Sequence, residues 1–354
     1  MKFIHMADVH LGSKMEARLP SEKAKQRRGE LRAAFLKTVE FAARENVKVV
    51  LIAGDLFDGN NPLKKDKEFF YDTVKSFPDI DFLYLRGNHD DEGGYEEELP
   101  NLKLFSDEWT AYRYGRVVFA GVELTSSNVE SLYSSLCLKN EDINIVIMHG
   151  EWSDGVTQNK INLVRLKDKY IDYLALGHIH TAAEKKFGER GIAAYSGCLE
   201  GRGFDECGEK GFYLCEVDEE SGEIDREFIS VATRRIDKYE IDISGLVSPS
   251  EIYARIRDTV TSDKSDLIRI ELIGDKEFDD ENLSDDIFSY IGDKYYFVSV
   301  KDRSLRKFSI KDYDGDLSLG GEFVREVLSS TLPDELKQKI VSVGMKALGG
   351  REID

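Results

Sequence analysis

Up to residue 235 the chain alternates short apolar runs with stretches of helical spacing. The runs KFIHMA, VKVVLIAG, IDFLYLRG, VVFAGVEL, INIVIMHG, IDYLALGH, IAAYSG and GFYLCEV are rich in β-branched or aromatic residues, and most run into Gly, Asp or Asn. Runs of that length with such boundaries read as strands. Between them, Leu31, Phe35, Val39 and Ala42 predict a helix over 27–45. Phe70, Val74 and Phe77 predict one over 66–77, and Val129, Leu132 and Leu136 one over 129–136. Strands alternating with helices point to a layered α/β domain over 1–235. Beyond it, KYEIDISG, LIRIELIG and YYFVSV read as strands. Ser248–Glu251 offers a capping box with Pro249 at the first helical position, and a further helix falls near 281–291. This βαβαβ pattern marks a second, smaller α/β domain over 236–301. From 302 onward the chain reads as a tail with helices at 321–330 and 333–348.

Composition narrows the class without naming an activity. Apolar residues at 41% and charged residues at 33% suit a soluble globular protein. No stretch reaches the ~20 apolar residues that span a bilayer, so no membrane association is expected. The first residues lack the apolar core of a signal peptide, and the four cysteines form no CxxC pair. Both features predict a cytoplasmic protein whose cysteines are small core residues. A net charge of -19 counts against a protein that coats nucleic acid non-specifically. It leaves room for an enzyme whose acidic surface surrounds a locally positive, metal-filled site.

The chemistry collects where apolar runs end. In order these ends carry Asp8-Val9-His10, Gly54-Asp55, Gly87-Asn88-His89-Asp90, His149-Gly150 and Gly177-His178-Ile179-His180. Side chains from the C-terminal ends of several strands converge on one edge of a sheet, where α/β proteins build sites. Carboxylate, imidazole and amide oxygen suit manganese, iron or magnesium, with zinc as a further option. Asp8, His10, Asp55, Asn88, His149, His178 and His180 are too many for one ion that keeps a position open. They fit two ions ~3.5–4 Å apart that share a carboxylate. His89 is then spare and available as a general acid or a stabiliser of transition-state charge. His5 lies within a strand and reads as packing.

DVHLG, GDLFD, GNHD, MHG and GHIH resemble, in order, the five motifs of the calcineurin-like metallophosphoesterases. HMADVHLG, AGDLFD and YSGCLEGRGFDECGEKGF are more narrowly similar to the SbcD-type DNA repair nucleases. The resemblance implies a two-sheet β-sandwich flanked by helices, with the second domain as an α/β cap. It implies a first metal on Asp8, His10, Asp55 and His180, and a second on Asp55, Asn88, His149 and His178, with Asp55 as the bridge. His89 takes the catalytic position and Asp90 is a partner that would orient it. Two departures stand out: Asp58 where many members carry histidine after GDLF, and YSGC where YPGS is common.

The expected activity is therefore a two-metal phosphodiesterase, most narrowly a DNA exonuclease or endonuclease in repair that works with an SbcC-type coiled-coil ATPase. Manganese is the expected ion, with iron and magnesium as alternatives. A phosphodiesterase or phosphatase on small nucleotides is the alternative enzyme, and a metal-free scaffold on the same fold the alternative class. Lys14, Arg18, Lys23, Lys25, Arg27, Arg28 and Arg32 crowd behind the first motif. They read either as DNA-phosphate contacts or as a solvated loop and helix face. Leu336, Ile340, Val343 and Ala347 follow 4-3-4 spacing, which serves self-packing or, as the resemblance implies, docking of the ATPase coiled coil. A homodimer is an open alternative for the assembly.

Overall fold

A computed structural model of the protein describes residues 1–15, 19–59, 62–90, 97–153, 157, 159–276, 282–306 and 310–348. The chain divides into two compact units, Met1–Arg235 and Ile236–Asp354.

The first unit runs β1 (Lys2–Met6), α1 (Ser21–Arg44), β2 (Val49–Ala53), α2 (Lys64–Ser76), β3 (Asp81–Leu85), β4 (Leu102–Leu104), β5 (Thr110–Tyr114) and β6 (Val117–Gly121). It continues with α3 (Leu132–Ser135), β7 (Ile143–His149), β8 (Glu151–Ser153), β9 (Lys160–Asn162), α4 (Leu163–Leu166) and β10 (Tyr173–Gly177). β11 (Ala183–Phe187), β12 (Gly191–Tyr195), β13 (Gly211–Val217) and β14 (Ile224–Ser230) complete it. Two six-stranded sheets result, in the orders β14-β13-β1-β2-β3-β4 and β11-β12-β10-β7-β6-β5. In the first, β1 to β4 are mutually parallel, β13 runs antiparallel to β1, and β14 runs antiparallel to β13. In the second, β6, β7, β10 and β12 are parallel, with antiparallel β5 and β11 at the edges.

Strand alternation explains the layers. Phe3, Leu51 and Leu83 from one sheet meet Phe119, Ile145 and Tyr173 from the other in a shared core. The alternate residues Ile4, Val50, Ile52 and Phe82 face the opposite way, against Leu31, Phe35 and Val39 of α1 and Phe70 and Val74 of α2. On the far side, Val146, Met148 and Leu174 pack with Leu132 of α3 and Leu163 and Leu166 of α4. Covering both faces is why the central strands read as unbroken apolar runs. β11 and β14, with mostly polar, half-exposed residues, carry no such run and escape the sequence pattern. α1 starts at Ser21 rather than 27 because its charged first turns hide the helical period. The helix expected over 129–136 shrinks to Leu132–Ser135.

The second unit comprises β15 (Ile236–Asp242), α5 (Pro249–Thr259), β16 (Leu267–Ile273), β17 (Asp275–Lys276), α6 (Leu283–Ile291), β18 (Phe297–Asp302), β19 (Leu305–Arg306), α7 (Leu319–Ser329) and α8 (Asp334–Leu348). β15, β16 and β18 form a parallel sheet, and Ile268, Ile270 and Leu272 pack on Ile252 and Ile256 of α5 and Ile287 of α6. Pro249 opens α5, but the Ser248 side chain makes no capping bond. Glu251 Oε2 instead accepts from the Val247 N–H at 2.9 Å, so only the carboxylate half of the box operates, one residue earlier. The segment from 302, set apart in the sequence reading, groups here with 236–301. β19 pairs with β17, and α7 packs on α8 through Val324, Val341, Phe323 and Met345. Among the described residues, no helix is long and apolar enough to cross a membrane.

Candidate metal centre

β1, β2 and β3 are parallel in one sheet and β7 and β10 in the other, and the residues at or just past their C-terminal ends meet across the sandwich. The meeting is close: His149 Nδ1 at the end of β7 lies 2.9 Å from the Ala53 carbonyl at the end of β2. Asp8, His10, Asp55 and His178 take positive φ values of 50°, 49°, 52° and 96°. Left-handed backbone costs a non-glycine residue on the order of 1–3 kcal/mol and survives where surrounding bonds fix it. The Asp8 N–H donates to Gly54 O at 3.0 Å, His10 N–H to Asp55 O at 2.9 Å, and His178 N–H to Asp8 Oδ1 at 2.9 Å. Gly87 is fixed by space, since a Cβ there would sit 2.1 Å from Asp55 Oδ1.

Two donor clusters share this edge. Asp8, His10, Asp55 and His180 each offer one ligand atom, all within 4.8 Å of one another, and so do Asp55, His149 and His178. Asn88 joins the second, its Oδ1 3.0 Å from His149 Nε2 and 3.1 Å from His178 Nδ1. Asp55 belongs to both, with Oδ2 3.8 Å from His10 Nε2 and 3.3 Å from His149 Nε2.

The hydrogen bonds behind the rings show that the donor set fits cations. His149 Nδ1 donates to Ala53 O, so its Nε2 turns a lone pair toward two further acceptors, Asn88 Oδ1 and Asp55 Oδ2. His180 Nδ1 donates to Glu206 Oε1 at 2.7 Å, and His10 Nδ1 lies 3.2 Å from Asp58 Oδ1. With Nδ1 protonated on both rings, their Nε2 lone pairs face each other at 3.3 Å. Electron pairs converging this closely are stable only around positive charge. Burial alone pulls His149 down, but the Asp55 carboxylate, aided by Asp8, outweighs it and raises the imidazole to about 9. A proton can therefore stand in for the ion there.

The remaining expected residues divide. His89 is exposed beside the cluster, its ring 5.1 Å from that of His10, and its N–H donates to Asp55 Oδ1 at 2.9 Å. Asp90 is turned away from the role of orienting His89. It is buried and accepts from the N–H groups of Leu56, Phe57 and Gly87, tying the loop after β2 to the loop after β3. Burial raises its carboxyl to about 6 against those bonds. His5 is buried between the sheets, with Nδ1 2.8 Å from Tyr173 Oη, and burial lowers it to about 3.

Arg27 corrects the reading of the basic cluster. Its side chain is buried and bonds Glu30, Glu200 and the Gly201 carbonyl, joining α1 to the loop after β12, so it cannot meet a DNA phosphate. Lys14 and Lys25 are exposed, Lys23, Arg28 and Arg32 are half-buried, and Arg32 pairs with the buried Asp66. Arg18 lies outside the described residues. Cys198 and Cys215 are core residues, Cys207 is half-buried, and Cys137 is exposed.

Three residues behind the cluster carry no role in the sequence reading: Arg202, Glu206 and Lys210. Glu206 meets His180, and the buried Lys210 donates to the His180 carbonyl at 2.7 Å. Their signal was a dense set of charges in a glycine-rich stretch, GRGFDECGEKG, adjoining an apolar strand.

The same residues lead to known proteins. The chain is 26% identical over 278 residues to the uncharacterized metallophosphoesterase YhaO of Bacillus subtilis, covering 73% of this chain and 67% of that protein. It is 24% identical over 196 residues to the DNA double-strand break repair protein Mre11 of Sulfurisphaera tokodaii, covering 51% of this chain. The match thus spans about half of that relative, 49% of its length. Among solved structures, TT1561 of Thermus thermophilus aligns at 12% identity with a TM-score of 0.41, covering 64% of this chain and 97% of that one. A family model described as calcineurin-like phosphoesterase matches residues 1–182, a stretch that holds every residue of both donor clusters. Because that match takes in more than half of the 354 residues, the chain belongs to the calcineurin-like phosphoesterase family.

Proposed function

We propose that this protein is a two-metal phosphodiesterase that cleaves DNA, with manganese as its working ion. The observation that carries the reading is the pair of donor clusters joined at Asp55, with His89 exposed beside them. Divalent ions held by Asp8, His10, Asp55 and His180, and by Asp55, Asn88, His149 and His178, would supply charge to phosphoryl oxygens and acidity to a water. The chain's own part is positional. Asp55 couples the two clusters, and the His89 imidazole donates a proton to the leaving oxygen. DNA as substrate is supported by relatives named as double-strand break repair proteins and by the exposed Lys14 and Lys25 near the first motif.

The direct test incubates the purified protein and manganese with labelled DNA of several end structures, beside a cyclic dinucleotide and a phosphomonoester. Cleavage of DNA ahead of both small substrates is expected. Preference for either small substrate would replace DNA with a smaller phosphoester, and inertness toward all three with no manganese taken up would point to a metal-free scaffold.

The reading extends to an SbcC-type coiled-coil ATPase as partner. α8 spends one face on α7 through Val341 and Met345, while Leu336 and Val343 remain 44% and 47% exposed. On the same stripe of the helix Ala347 is exposed and Ile340 half-buried. Apolar positions at 4-3-4 spacing suit a coiled coil. A Leu336→Glu/Val343→Glu double variant should keep its ions and its manganese-dependent cleavage yet lose co-purification with the ATPase. Undiminished co-purification would exclude this face.

A further inference from the structure

Behind the first donor cluster lies a closed ring of contacts centred on Arg202. Arg202 Nη1 donates to Asp58 Oδ1 at 3.2 Å, while Nε and Nη2 donate to Glu206 Oε1 at 2.9 and 2.8 Å. The Arg202 main-chain N–H donates to Glu206 Oε2 at 2.7 Å. Each carboxylate also reaches one ring of the cluster: Asp58 Oδ1 lies 3.2 Å from His10 Nδ1, and Glu206 Oε1 lies 2.7 Å from His180 Nδ1. The ring closes where the two Nε2 atoms approach to 3.3 Å.

The protons in this ring can be placed. Arg202 Nη2 is also 3.1 Å from His180 Nδ1, but that nitrogen can serve only one bond along its axis. The Glu206 contact is shorter and pairs an N–H with a carboxylate, so the Nδ1 proton points to Glu206. With Nδ1 protonated, the lone pair of His180 is on Nε2, inside the cluster. Asp58 faces His10 Nδ1 at 3.2 Å as an ion-pair contact off the hydrogen-bond axis, so its charge, and not an aligned hydrogen bond, favours the proton on that nitrogen. Asp58 alone could swing away, since its side chain is 23% exposed, whereas Glu206 is buried. Arg202 spans both and prevents this, and its side chain is itself only 18% exposed. A guanidinium suits the task because its planar fork can hold two carboxylates at once.

We infer that Asp58, Arg202 and Glu206 form an outer clamp that fixes the orientation and tautomer of His10 and His180, and so sets ion affinity at the first cluster and not at the second. Arg202 is a positioning residue that acts through the two carboxylates. The inference rests on the two-metal reading and adds to it residues that lie outside both donor clusters. It also accounts for Asp58 after GDLF, whose partner is an arginine 144 positions later.

Manganese binding to the resting protein tests the clamp without any substrate. Equilibrium titration with elemental analysis would compare wild type with Arg202→Gln, Arg202→Lys and Glu206→Gln. Loss of an outer partner to a metal-bound histidine costs about 10–100-fold in affinity. Arg202→Gln and Glu206→Gln should therefore weaken one ion by that factor and leave the other near its wild-type value. Arg202→Lys should recover part of the loss, because an ammonium holds one carboxylate but does not bridge two. Thermal melting of the ion-free variants identifies any that fails to fold, and Glu206→Gln, which keeps side-chain volume, then carries the test. Variants that bind both ions as wild type does, losing turnover only through a raised KM, would overturn the clamp and make Arg202 a substrate contact. Equal weakening of both ions in folded variants would overturn its selectivity. A wild-type protein that takes up no manganese would instead remove the two-metal reading beneath it.

Discussion

Asp55→Asn should weaken both ions together, each by at least ~100-fold, beyond the loss from an outer-sphere partner, and should abolish manganese-dependent cleavage. Asp55 is the one carboxylate present in both donor clusters, and at 1% exposure water cannot take over its role. Asp8→Asn is the comparison, since Asp8 belongs to the first cluster alone and should cost mainly one ion. The fold should survive the change at Asp55. An amide oxygen can still accept the His89 N–H, and His149 Nδ1 keeps its bond to Ala53 O. Without the neighbouring carboxylate, His149 loses what holds it near 9, and the buried ring can shed its proton instead of remaining an unpaired charge. The same pair gives a pH dependence. In the ion-free wild type the His149 pKa is raised, so ion uptake at neutral pH must displace a proton and should strengthen as pH rises toward about 9. Metal content per chain and proton release on manganese addition, measured across pH 6–9, check both statements. Two-ion occupancy retained in Asp55→Asn would remove Asp55 as the shared ligand.

What the sequence disclosed depended on whether a role was local. The strand-end residues were legible because apolar run, turn and ligand follow one another within a few positions, as in LIAGDLFD and YLALGHIH. The central strands were legible for a related reason, since burial on both faces leaves an unbroken apolar signature. Roles set by tertiary approach left no such trace. Arg27 sits in a basic run, yet its partners Glu200 and Gly201 lie 173 and 174 positions away, and charge density in sequence says nothing about which member turns inward. Asp90 follows a histidine and invites pairing with it, but three N–H groups from two loops capture it first. The clamp on His10 and His180 joins GDLFD to GRGFDE, and only the folded chain shows that one arginine reads both segments.

His89→Ala should leave both ions in place and lower cleavage by roughly 10²–10⁴-fold, the range for losing a positioned acid–base group. The side chain is exposed and edge-on to His10 at 5.1 Å, so its removal opens no core cavity. What His89 gives to the architecture is its backbone N–H to Asp55 Oδ1, which alanine retains. A metal role is the competing account, because His10, Asp58 and His89 also bring one ligand atom each within 4.8 Å of one another. The clamp decides between them on chemical grounds. Asp58 is already committed to Arg202 and to the back of His10, whose Nδ1 faces away from the donor cluster. That leaves His89 without the convergent lone pairs that surround the other two positions. Manganese content of His89→Ala separates the accounts directly: two ions per chain with slow cleavage fits a proton donor, whereas the loss of one ion makes His89 a ligand. A leaving-group test adds a second reading. A phosphodiester whose leaving alcohol is strongly acidic needs no proton, so the variant should cleave it at nearly the wild-type rate while remaining slow on DNA.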